Sequence, residues 1–144
     1  MEWAQNNDEI AKRIARTSHS FGRVCLTESS IDDFVSTLRS VSYSKPEMAM
    51  RAMLERRHLA PSWGGKTPIS PEPEDRMVIP NIPDIFVTGH VHGHFVEDYK
   101  GTLMVHSSTW QDQTDFQMML GFKPKPCILT VVNLNSFSTT SIHF

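Results

Sequence analysis

The spacing of apolar positions along this chain changes several times, and each change marks an element. In residues 2–16, Ile10, Ala11, Ile14 and Ala15 recur on a helical stripe. Lys12, Arg13 and Arg16 sit on its other side and near its end, where cations suit the helix dipole. Residues 22–27 read as a short strand. Ser30 then stands as an N-cap before Asp32 and Asp33, and Phe34, Val35 and Leu38 form the buried stripe of a short helix. Ser44-Lys45-Pro46-Glu47 has capping-box spacing with proline in the first turn. It predicts a helix that buries Ala49, Met50, Met53 and Leu54 and ends at Arg56-Arg57-His58.

Beyond that helix the period shortens. Six of the chain's nine prolines lie in residues 61–83 with Gly64-Gly65, which predicts an extended loop, with Met77, Val78 and Ile79 as a short strand inside it. Ile85, Phe86 and Val87 read as a buried strand that stops at Gly89. Residues 94–98 and 102–106 form the arms of a hairpin around Tyr99-Lys100-Gly101. The chain turns away at Ser107, and residues 114–120 are weakly helical or looped. Residues 127–132 are the most strand-like run, and from Asn135 the polar tail becomes an edge strand or frays.

Composition narrows the class. At 144 residues with 39% hydrophobic and 21% charged residues, the expectation is one soluble globular domain. A net charge of −2 supplies no global basic field for nucleic acid. Arg56 and Arg57 are candidate phosphate or DNA contacts, weighed against the plainer reading of a solvated helix end. Cys25 and Cys127 lack Cys-x-x-Cys spacing and read as reduced, buried thiols. No apolar run is long enough for a bilayer and no signal-type segment opens the chain, so the expectation is a cytoplasmic protein with no membrane partner.

The candidate chemistry lies in Gly89-His90-Val91-His92. Histidine is the commonest side-chain metal ligand, and two imidazoles at i and i+2 past a strand end can converge on one cation or a pair. His90 and His92 are therefore candidate metal ligands, against the plainer reading of hydrogen-bonded polar side chains. His94 extends the alternation and is a possible further ligand if the chain continues as a strand, a reading that a bend after the motif would remove.

These residues also carry a resemblance. Gly89-His90-Val91-His92 is similar to the last metal-binding motif of the calcineurin-like metallophosphoesterases. Ser30-Ile31-Asp32-Asp33, Arg56-Arg57-His58-Leu59-Ala60-Pro61 and Gly64-Gly65-Lys66-Thr67-Pro68-Ile69 resemble the small subunit of the archaeal D-family DNA polymerase. So do Pro83-Asp84-Ile85-Phe86 and Ser108-Thr109-Trp110-Gln111-Asp112-Gln113-Thr114-Asp115-Phe116-Gln117. The resemblance runs over residues 22–134, between an N-terminal helix and a tail at 135–144. It implies an α/β (α+β) fold, the C-terminal part of a two-sheet sandwich with flanking helices, and two divalent metals, typically manganese. It also implies 3′-to-5′ exonuclease activity on DNA beside a large polymerizing subunit.

The departures from that pattern are specific. The family's Asp-x-His, Gly-Asp and Gly-Asn-His-Asp motifs do not occur here, and Thr27-Glu28 stands where a His-Gly pair is expected. His106-Ser107-Ser108 stands where the family favours Asn-Ser-Gly. Two neutral imidazoles cannot hold a dinuclear centre without carboxylates. The chain thus reads as the C-terminal part of a phosphoesterase domain, inactive alone. The alternatives are a non-catalytic polymerase accessory subunit and a small stand-alone metallophosphoesterase.

Overall fold

The computed structural model describes residues 31–32, 34–35, 38, 42–60, 72–119 and 121–144. The elements expected at 2–16 and 22–27, the Ser30 cap, Cys25, the Thr27-Glu28 pair and residues 61–71 of the proline-rich loop lie outside them. Ile31, Asp32, Phe34 and Val35 are helical, as their stripe requires. Helix α1 is Pro46–Arg56, with Pro46 at its first turn. The capping box does not form: Lys45 is the N-cap with no side-chain cap bond, and Ser44 pairs its hydroxyl with Ser42 instead. Proline at the start already removes one of the donors that a cap would satisfy.

Three strands stand against α1, namely β1 (Ile85–Thr88), β2 (His94–Tyr99) and β3 (Thr102–Ser107). Their order is β1-β3-β2, with β1 parallel and β2 antiparallel to β3. Lys100 and Gly101 both take positive φ, 53° and 84°, which is the tight turn that a right-twisted hairpin needs. Alternation then sorts the side chains. Phe86 and Met104 face α1 and join Ile31, Phe34, Ala49, Met50 and Met53 in one core. Ile85, Leu103 and Val105 face the other way and pack with Val96, Val132 and Phe137. That second face is covered by an antiparallel pair, β4 (Ile128–Val132) and β5 (Thr139–His143), so the tail is an edge strand. The result is mixed α/β with two small sheets, as expected of part of a two-sheet sandwich. A second helix, α2 (Asp115–Met119), rides on the loop after β3.

Between the two sheets lies a cavity of about 240 Å³, lined by Ile85, Val87, Val105, Ile128 and Val132 among others. Apart from Ser107 and Thr130 its walls are apolar, so it is a gap in packing. The expected strand at 77–79 shrinks to one bridge, His58 with Val78, flanked by Leu59 N–H to Met77 O and Ile79 N–H to Arg57 O. Pro80 and Pro83 lack the amides that would extend it. Cys127 is a free, half-buried thiol.

One topological fact places the chemistry. Thr88 pairs with His106 and His94 pairs with Ser107, so residues 89–93 arch over the carboxyl end of β3 to join the two strands flanking it. Val91 is buried in the α1 core and anchors the arch from below. The Gly93 carbonyl accepts two hydrogen bonds from beneath, the His106 ring Nδ1–H at 2.9 Å and the Ser108 amide at 2.9 Å. His106 is wholly buried, and burial above all pushes its pKa down to about 4, against a smaller opposing effect of the Gly93 bond.

Two outcomes follow for stability. Phe86→Ala empties a fully buried site and is expected to cost about 3–5 kcal/mol, whereas Val131→Ala on exposed β4 changes stability by about 0.5 kcal/mol or less, both read by urea denaturation. His106 is neutral in the fold, while the unfolded ring takes a proton near its ordinary pKa of 6.5. Its contribution is therefore complete above pH 6.5 and is lost as pH falls towards 4, a swing on the order of 3 kcal/mol. Denaturation midpoints at pH 7 and pH 4.5 should separate less in His106→Asn, which keeps a donor for Gly93 and does not titrate in this range.

Candidate functional site

The arch sits at the carboxyl ends of β1 and β3, the two parallel strands, where open α/β sheets place their ligand sites. Val91 points into the core, and the histidines on either side of it are exposed at His90 and half-buried at His92. Both carry positive φ, 81° and 54°. Gly89, whose freedom the sequence suggested for the turn, does not; a Cβ there would meet only Ser107 Oγ at 3.5 Å. The left-handed backbone thus falls on the two candidate residues themselves. Strain of this kind persists only where the surroundings enforce it, and here Val91 and the doubly bonded Gly93 carbonyl do so.

Each imidazole is held by one ring nitrogen. His90 Nε2 lies 3.3 Å from Asp32 Oδ1, and the same oxygen accepts the Tyr43 hydroxyl at 2.9 Å. Burial, and then Asp32 itself, push the Tyr43 phenol up, so it stays a donor. His92 Nδ1 lies 2.8 Å from Gln117 Nε2 on α2, and the His92 carbonyl accepts the Lys125 amide at 2.9 Å. The pair is therefore oriented by residues from three separate parts of the chain. Such partners are what fix ring orientation in histidine sites.

His94 goes elsewhere. Residues 89–93 bend rather than continue as a strand, so the alternation that made it a possible ligand does not carry through. It faces β4, where its Nε2 meets Thr130 Oγ1 at 2.8 Å, and burial, then Lys125 and His143, lower its pKa. Arg56 and Arg57 are not brought to the histidines either. A Cβ at Gly93 would meet Pro46 at the start of α1 at 3.8 Å, and the arginines close that helix about 15 Å further on at 1.5 Å per residue. Arg57 takes the left-handed C-cap, and its guanidinium donates to the Ile79 and Pro80 carbonyls at 2.8 and 2.6 Å.

Sequence reasoning missed Asp32, Gln117 and His106 as parts of this corner. One signal was present: Thr114-x-x-Gln117 has the spacing of a capping box, which does form. Nothing local tied Asp32 to His90 across 58 positions. Among the described residues no group of three or more His, Cys, Asp or Glu side chains could hold a metal ion. They therefore do not fit the two divalent cations that the resemblance implies. Among the same residues no helix is long and apolar enough to cross a membrane.

No protein-family model matches the chain. It is similar to the DNA polymerase II small subunit of Thermoplasma acidophilum, 46% identical over 109 residues, which cover 76% of this chain and 22% of that protein. The protein of the same description from Archaeoglobus fulgidus is 47% identical over 97 residues, 67% of this chain and 20% of the relative. That from Methanocaldococcus jannaschii is 40% identical over 116 residues, 81% and 20%. The chain thus spans about one fifth of the length of the curated relatives it matches. With most of its residues aligned at this identity, it belongs to the family of archaeal DNA polymerase II small subunits and corresponds to one portion of them.

Proposed function

We propose that the chain serves as part of the small subunit of a DNA-directed DNA polymerase, with the large catalytic subunit and DNA as its partners. The observation that carries this is identity of 40–47% to three small subunits over two thirds or more of the chain. Within that subunit, the corner holding His90 and His92 is the chain's share of a 3′-to-5′ exonuclease centre that hydrolyses phosphodiesters in a metal-dependent way. The resemblance assigns both His90 and His92 to the manganese pair of the complete centre, and of the two His90 is the one whose free ring nitrogen carries an open lone pair. The carboxylates such a pair needs come from outside the described residues. What supports this placement is the position of the two rings, held in strained backbone at the ends of two parallel strands.

A second reading has its own observation. Thr27-Glu28 replaces the expected His-Gly pair, which favours a non-catalytic accessory subunit that keeps the fold as a scaffold.

The test uses the chain and its cognate large subunit, co-expressed with a tag on the large subunit only. Stoichiometric co-purification is expected, and its absence at micromolar concentrations contradicts membership of the polymerase. In parallel, the chain alone is expected to leave 3′-labelled single-stranded DNA intact in the presence of manganese. Hydrolysis by the isolated chain, abolished by His90→Ala, would instead support a stand-alone metallophosphoesterase.

A further inference from the structure

The two histidines carry their ring protons on the same nitrogen but present opposite groups, and Gln117 is the reason. Thr114 and Gln117 form a reciprocal pair at the start of α2. The Gln117 amide N–H donates to Thr114 Oγ1 at 3.3 Å, and Gln117 Oε1 accepts the Thr114 N–H at 3.0 Å. That second bond decides which way round the side-chain amide lies. Its oxygen is taken by the backbone, so the atom 2.8 Å from His92 Nδ1 is the amide nitrogen, which only donates. His92 Nδ1 must accept, and the proton of the neutral ring is on Nε2. The partner of His90 is of the opposite kind. Asp32 as a carboxylate only accepts, so His90 Nε2 carries the proton towards it and Nδ1 keeps its lone pair. Neither His90 Nδ1 nor His92 Nε2 has a hydrogen-bond partner among the described residues.

We infer that Gln117 is a positioning residue that holds His92 as an N–H donor for an anionic oxygen and keeps it from acting as a cation ligand, leaving His90 to present the open lone pair. For His92 to ligate through Nε2, its proton must move to Nδ1, where it meets an amide that offers only further protons. The alternative is rotation of that amide, which breaks the bond from Thr114 N–H and leaves the Thr114 hydroxyl alone to cap α2. The arch then carries one open acceptor and one open donor two positions apart, the kinds of group that a water and a phosphoryl oxygen take. Naming that oxygen as phosphoryl rests on the function proposed above; the proton placement does not. It also accounts for the poor fit of the described residues to a metal pair, because one of the two expected imidazole ligands has its lone pair turned away.

The ring nitrogens of the histidine-¹⁵N-labelled chain, observed by two-bond ¹H–¹⁵N correlation at neutral pH, test this directly. The expected pattern for His92 is a protonated Nε2 and a bare Nδ1. A His92 proton on Nδ1 would overturn the inference. Gln117→Glu supplies the second arm. A carboxylate at that position keeps the reciprocal cap but accepts at both oxygens, so it should draw the His92 proton to Nδ1 and free the Nε2 lone pair. Manganese affinity should then rise by about 10-fold or more, in the range that outer partners of metal-binding histidines command. The gain should vanish in Gln117→Glu/His92→Ala, which separates ligation from the added charge. An unchanged ring pattern in Gln117→Glu, or a gain that survives removal of His92, contradicts it. Failure to bind the large subunit would remove the polymerase reading and leave these ring assignments standing.

Discussion

The Gly93 carbonyl is the point on which the arch depends. The chain must leave β1, pass over the end of β3 and enter β2 within five residues, crossing two strand spacings of about 4.8 Å each. The arch closes one backbone hydrogen bond of its own, from the Val91 amide to the Gly89 carbonyl at 3.2 Å, and it needs a tie to the strand beneath it. Gly93 provides the acceptor, and His106 and Ser108 provide the donors. Val91 adds an apolar anchor in the α1 core. Only with both ends fixed can His90 and His92 be kept in backbone conformations that non-glycine residues ordinarily avoid.

The tie has a cost, carried by His106. Its Nδ1 is used, but its Nε2 is buried with no partner among the described residues. An unsatisfied acceptor in a dry interior is unfavourable, and a protonated ring there would be worse, which is why its pKa falls. The resemblance places asparagine at this position. A donor to the arch is common to both side chains, and the imidazole reaches it at the expense of an idle nitrogen.

Local patterns were legible because they are governed by nearest neighbours. The apolar stripe of α1, the hairpin of β2 and β3 and the β4 run all follow from residues within a few positions, and they form within one or two residues of the expected bounds. The tail from Asn135 left two outcomes open, and β4 decided between them by offering a pairing edge. What escaped was set by tertiary contact. Ser44 lost the cap because Pro46 had already removed a donor and Ser42 was nearer. The turn expected at Gly89 moved to His90 and His92 because Val91 had to reach the core. His94 left the site because the arch bends, and Asp32 joined it because the helical stretch of Ile31 and Phe34 packs on the same core as Val91. Pairings across 25 and 58 positions leave no periodic trace in a single sequence.

The central claim is that the arch is a rigid, tied structure and not an exposed loop that happens to carry two histidines. Native-state hydrogen exchange at the Ser108 amide tests it most directly, because that proton is the backbone half of the tie. The account predicts protection at Ser108 approaching that of Met104 in the middle of β3, with both amides opening together as denaturant is added. Exchange of Ser108 at the rate of an unprotected loop amide, while Met104 stays protected, would contradict it.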